Sequence, residues 1–257
     1  MTDPVARQRQ HFDAIADQYV GARSSANHLA FKELLWNEFL FDKRELFGAR
    51  LAVLEPMCGG ADGYELLQRH LGIEIAYEGF DVSDAMIAAA RAHHPQARLS
   101  QADVTQFEPG GAYDLVLILG GLHHVPHAAR QVVTTLGRAL RPGGYFLSWE
   151  PTHGNSLFKA VRGAIYKRNV IFEPTTERAF ATRELFAIFE QAGFRLVDAL
   201  YPGLLGYVLY YNPDAFPSLN LGTPRLVRRL WRLERPFMRS WLARKLSFAT
   251  LSLWQRQ

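Results

Sequence analysis

The stretch from Leu51 to Asp81, LAVLEPMCGGADGYELLQRHLGIEIAYEGFD, constrains this chain more than any other. Leu51, Ala52, Val53 and Leu54 run into Glu55, the pattern of a buried strand that surfaces in acid at its carboxyl end. Cys58-Gly59-Gly60-Ala61-Asp62-Gly63 follows at once, a turn whose glycines permit a sharp bend and close approach to a ligand. Tyr64 to His70 then has helical spacing, and Ile73 to Phe80 reads as a second strand ending in Asp81, 26 positions after Glu55. That separation fits the tips of neighbouring parallel strands joined by a helix. An acid at such a tip can accept hydrogen bonds from both hydroxyls of a ribose. A dinucleotide site of the usual kind would carry G-x-G-x-x-G to hold a pyrophosphate, and this turn lacks it.

The same alternation continues downstream. Ser83 is placed to cap a helix whose buried stripe is Met86, Ile87 and Ala90, with Met86 either plain core or set against a base. Ala97 to Gln101 reads as a third strand, and Asp103 beyond it can accept from an exocyclic amine while the Val104 amide donates to a ring nitrogen. Tyr113 to Leu119 is a fourth, uncharged past Asp114, followed by Gly120-Gly121-Leu122-His123-His124 and a helix expected from Val125 to Leu140. Leu140-Arg141-Pro142-Gly143-Gly144 stops that helix before a fifth strand, Tyr145 to Glu150. Helices are expected over 155–166 and 176–192, a sixth strand over 194–201 and a last one over 248–254. Upstream, residues 4–20 and 27–47 read as two helices, with Phe12, Ile15, Ala16 and Tyr19 on one face of the first.

These motifs together resemble class I S-adenosylmethionine-dependent methyltransferases, in their small-molecule, type 11/12-like branch. Glu55 and Gly59 match the first motif, D/E-x-G-x-G-x-G, with Met57 and Ala61 in place of its first and third glycines. F-D-x-x-A-x-x-Y, Phe12 to Tyr19, is similar to that branch's amino-terminal helix, and L-x-P-G-G at Leu140–Gly144 matches the turn before strand five. The resemblance implies S-adenosylmethionine as cofactor and an α/β, doubly wound, Rossmann-like sheet of seven strands in the order 3-2-1-4-5-7-6, the last antiparallel. It divides the chain into a helical cover, 1–48, a core, 49–201 with 247–257, and an aromatic and basic lid, 202–246. Tyr19, Glu55, Gly59, Asp81, Val82, Met86, Asp103, Val104 and Leu119 are expected to hold the cofactor. His123 and His124 are candidate bases, His123 the favoured one, or neither is catalytic. Glu150, His153, Tyr210 and Tyr211 are placed toward the acceptor. His123, His124, Glu150 and His153 are also metal-ligand types, but their spacing fixes no geometry, and no metal is assigned.

At 257 residues and 48% hydrophobic content, one sizeable globular domain is expected. The single Cys58 excludes an internal disulfide, and without a leader pattern a cytoplasmic setting is expected. No run of about 18 apolar residues suggests a membrane span. The net charge is +4, yet residues 223–257 hold nine Lys or Arg against Glu234 alone, so this tail is +8 and the remainder −4. Such a run is a solvated face, a seat for phosphates, or a peripheral membrane contact through 224–246 with Leu226, Leu230, Leu233, Phe237 and Trp241 toward lipid. The implied activity is methyl transfer to a hydroxyl or other heteroatom of a small-molecule, sugar or lipid-linked acceptor. Alternatives are RNA or protein methylation, and a non-catalytic cofactor-binding module; nucleic acid is disfavoured, because Leu119-Gly120-Gly121-Leu122 stands where base-amine methylases carry [D/N]-P-P-[Y/F].

Overall fold

The computed structural model describes residues 4–168, 176–213 and 216–257, leaving out the side chains of 16–22 and 168. Seven strands form the main sheet: β1 (Arg50–Pro56), β2 (Glu74–Asp81), β3 (Arg98–Gln101), β4 (Tyr113–Leu119), β5 (Leu140–His153), β7 (Phe194–Leu200) and β8 (Ala249–Arg256), with β6 (Phe180–Ala181) a two-residue addition to β5. Their order is β3-β2-β1-β4-β5-β8-β7, with β8 antiparallel to both neighbours, which is the expected arrangement once β6 is set aside.

Strand alternation supplies both cores. Val53, Leu115, Leu117, Leu147, Leu251 and Leu253 point to one face, where they join Phe31, Leu35 and Trp36 of helix α2 (Ala26–Leu40). Leu54, Val116, Ile118, Phe146 and Trp254 point to the other, against helices α5 (Ala129–Ala139) and α7 (Thr182–Gln191). A parallel sheet covered on both faces needs this: every residue of β4 from Leu115 to Ile118 is buried. Helices α3 (Asp62–Leu71) and α4 (Asp84–His93) make the first two crossovers, and α1 (Pro4–Ala22) lies beside α4. Among the described residues no helix is long and apolar enough to cross a membrane.

Several element boundaries differ from expectation. Helix α5 begins at Ala129 rather than Val125, because Pro126 keeps Val125 out of the helical region. Residues 176–181 are not helical: Phe180 and Ala181 pair with Thr152 and His153, and Glu184 accepts the Ala181 N–H at 3.2 Å to start α7 only at Thr182. Strand β5 runs from Leu140, so the L-x-P-G-G turn is part of the strand's entry. The segment between β7 and β8 holds α8 (Leu205–Tyr210), α9 (Pro224–Glu234) and α10 (Trp241–Leu246), while α6 (Ser156–Arg168) follows β5. Helix α9 packs on α2 through Val227 and Trp231, the latter edge-on to Phe31 at 5.8 Å.

Candidate active site

A cleft of about 1000 Å³, mouth included, opens at the carboxyl ends of β1, β2 and β4. Its floor is the turn after β1. The Asp81 carboxylate closes this turn, accepting the Gly59 N–H at 2.9 Å on one oxygen and the Ser83 N–H at 2.9 Å on the other. Burial raises its pKa, although the two amides pull the other way, so the group is desolvated yet held as an acceptor. Gly59 has φ +51°, as its residue type permits. Met57 and Ala61, which replace glycines of the family motif, adopt the same left-handed region at φ +56° and +61°. The loop therefore keeps its shape without the residues that adopt it freely, at a cost of about 1–2 kcal/mol each.

Glu55 is 1% exposed and takes a 2.6 Å hydrogen bond from the Tyr77 hydroxyl. Burial pushes its pKa up to about 8. Gly63 is obligatory beside it, since a Cβ there would lie 2.4 Å from the Glu55 Oε2 and 2.3 Å from Leu117. Val82, Met86 and Leu119 line the cleft with Asp103 and Val104. Asp103 caps its own turn, accepting from the Thr105 amide and hydroxyl, both at 2.8 Å. All eight described residues expected at the cofactor thus stand on one wall; Tyr19 has a side chain outside the described residues. Gln8 and Phe12 of α1 cover the cleft, and Arg23, Lys32 and Trp36 complete it, with Lys32 Nζ 2.7 Å from Asp62.

The two histidines part company. His124 lines the cleft and meets the Phe12 ring edge-on at 5.1 Å. Its Nδ1 lies 3.2 Å from Glu177 Oε1. This is a contact of charge, without the alignment of a hydrogen bond. Burial opposes a charged ring, but Glu177, Glu150 and Asp81 outweigh it and raise the His124 pKa. His123 stands behind, buried at 8% exposure, with Nδ1 3.0 Å from Glu150 and its pKa driven well down by burial. It is off the cleft wall, on which only His124 of the two stands.

Three residues expected near the acceptor also lie elsewhere. Glu150 is fully buried and accepts the backbone N–H groups of Gly121, Leu122 and His123 at 3.1, 2.8 and 3.2 Å. It anchors the loop that carries the histidines, because three amides at a turn need one acceptor more than the cleft does. Tyr210 is wholly buried, its hydroxyl donating to the Leu221 carbonyl at 3.2 Å, whereas Tyr211, one step round the chain, reaches the cleft. His153 lines a separate cavity. The metal-type grouping that does form is His123, His124 and Glu177, with ligand atoms within 4.8 Å of one another, and it could take a cation. Glu177 itself was not foreseen. It lies in the segment expected to be helical and carries no local motif.

The cleft sits at the carboxyl end of a doubly wound sheet, with Asp81 at the tip of β2 on its wall. Residues 53–144 match the family of methyltransferase domains. The chain is 27% identical over 171 residues to a ubiquinone biosynthesis O-methyltransferase of Acinetobacter baylyi, 63% of this chain and 67% of that protein. It is 36% identical over 92 residues to a trans-aconitate 2-methyltransferase of Methylobacterium nodulans, 36% of this chain and 35% of that one. A relative in Mycolicibacterium smegmatis is matched over 62% of its own length. In fold, the chain is similar to the [4+2]-cyclase SpnF, with a TM-score of 0.65, 14% identity, and 98% and 96% of the two chains covered. The matched domain and these relatives support a class I S-adenosylmethionine-dependent methyltransferase.

Proposed function

We propose that this chain transfers a methyl group from S-adenosylmethionine to a hydroxyl, or another heteroatom, of a small acceptor with an apolar or aromatic body. The observation that carries this reading is the charge of the cleft. Asp62, Asp81 and Asp103 face it against Arg23 and Lys32, while Glu55, with its pKa pushed up to about 8, adds little charge near neutral pH. Such a wall repels a pyrophosphate and suits a nucleoside that bears a positive sulfonium and no phosphate. Asp81 would hold the ribose hydroxyls, Asp103 and Val104 the base edge, and Met86 and Leu119 its faces. When bound, the cofactor supplies an electrophilic methyl carbon. A fold alone does not fix the reaction, since the similar SpnF is named as a cyclase.

His124 is the base in this reading. With Nδ1 turned to Glu177, its Nε2 is left to take the acceptor's proton. Glu177 is a positioning residue, and the buried Gln8 Nε2 lies 3.5 Å from the same carboxylate oxygen, tying α1 to it. Phe12, Trp36 and Tyr211 leave the acceptor end aromatic, which fits a ring-bearing hydroxyl such as the ubiquinone-pathway relatives are named for. The module reading loses its ground, because Met57 and Ala61 preserve the loop geometry that their missing glycines called into question.

The test is His124→Ala, assayed with S-adenosylmethionine and a panel of phenols and hydroxy acids. Turnover should fall by about 10²–10³-fold with cofactor affinity within threefold. Glu177→Gln should lose less and move the acidic limb of the rate profile to lower pH, since it removes a charge that raises the His124 pKa. Full activity of His124→Ala would remove it as base.

A further inference from the structure

A second cavity, on the same rim of the sheet but sharing no residue with the cleft, occupies about 1090 Å³ with its mouth included. Three distant segments build it: the exit of β5 with the start of α6, the start of α7, and the end of α10. They are locked together. The Asn155 side chain donates to the Lys245 carbonyl at 2.6 Å and accepts the Phe158 N–H at 2.9 Å, and a Cβ on Gly154 would lie 2.3 Å from the Arg244 carbonyl.

Lys159, Arg183, Arg244 and Lys245 line this cavity with His153 and Trp241. None of the four cations is in an ion pair among the described residues, where other surface arginines such as Arg178, Arg235 and Arg239 are. Glu184, a nearby carboxylate, is held by two bonds from Arg178, at 3.0 and 2.6 Å. His153 Nδ1 is buried with no hydrogen-bond partner, and burial followed by Arg162 and Lys159 depresses its pKa, as a positive field does. Helix α6, 13 residues long, brings its amino end here at Ser156. Four cations without an ion pair, two of them stacked on rings (Arg244 over Phe186, Lys245 over Trp241), and a helix start call for an anion with several oxygens.

The rim around that charge is apolar and exposed. Trp241 is 69% exposed, Leu157 of α6 68% and Phe237 57%, and Leu242 and Leu246 are also open. A free phosphate compound has no use for such side chains, whereas a bilayer takes both the charge and the apolar rim.

We infer that the α6–α10 cavity seats the phosphate of an anionic phospholipid, with Trp241, Leu157 and Leu242 entering the surrounding acyl boundary, so that the chain docks peripherally on an acidic bilayer. This goes beyond methyl transfer and does not depend on it.

The experiment is flotation with phosphatidylcholine vesicles, alone or with a quarter of phosphatidylglycerol, read together with tryptophan emission. The other four tryptophans are buried, so a shift to shorter wavelength on binding reports Trp241. Wild-type protein should float with the acidic vesicles alone and show that shift. The triple variant Lys159→Ala, Arg183→Ala, Lys245→Ala should lose at least tenfold in vesicle affinity. The charge-matched triple Arg228→Ala, Arg229→Ala, Arg232→Ala should lose less than threefold. Equal losses would overturn the assignment in favour of general charge attraction. Absence of flotation, tighter binding to single-stranded RNA than to vesicles, or equal binding of soluble glycerol phosphate would overturn it also. Cofactor titration of each variant keeps this outcome separate from that of the methyl-transfer reading.

Discussion

The cleft over β1, β2 and β4 and the α6–α10 cavity stand on one rim of one sheet, yet they handle charge in opposite ways. In the cleft acids outnumber cations and most are engaged: Asp81 by two amides, Glu55 by Tyr77, Asp62 by Lys32. In the cavity they are cations, and none has an ion-pair partner among the described residues. Buried charges must be paired to be tolerated, so the first set shapes the fold. Charges that water can reach need no partner and remain available to something outside the chain.

The contrast breaks first at Asp81. Asp81→Ala leaves the Gly59 and Ser83 amides without their acceptor and removes the proposed ribose contact, so cofactor affinity should fall by about 100-fold, the equivalent of ~2–3 kcal/mol. Calorimetric titration measures this, and an unchanged affinity would show that the turn does not need its acid. A smaller and pH-dependent effect is expected at Glu55. Its folded pKa of about 8 exceeds the ordinary value of 4.5, so the folded state binds the extra proton between these limits. Stability should therefore decline as pH rises from about 4.5 to 8. Glu55→Gln should flatten that decline in denaturant titrations by a few kcal/mol at most, and a parallel slope in the variant would refute the assignment. The least effect is expected from the cavity triple at positions 159, 183 and 245. Removing unpaired surface cations should leave stability within about 0.5 kcal/mol, so a clear drop in the unfolding midpoint would mean that they are structural after all.

What the sequence made legible follows from locality. The sheet order and eight positions that line the cleft could be read because strand tips in a parallel sheet fall at regular intervals, each marked by an acid or glycine within a few residues of its strand. Glu177 could not, since it meets His124 only through the fold, from a segment whose residues read as the first turn of α7. Glu150 and His153 share the rim with the true wall residues, and composition cannot say which side of the strand end each one takes. Tyr210 and Tyr211 show the same difficulty at one residue's resolution, because a short helix turns one into the core and the other into the cleft. The basic cavity was visible only as an excess of arginine. Its shape depends on three segments that the chain separates widely.

Met57 has one more role by virtue of being there instead of a glycine. A Cβ on Gly121 would meet Met57 Sδ at 3.0 Å, so this thioether rests on the backbone of the loop that ends in the two histidines. Glycine at 57 would remove that bridge and let the two loops settle independently. The side chain thus joins the turn after β1 to the loop that carries the histidines, so the two stand in contact in place of being separate walls.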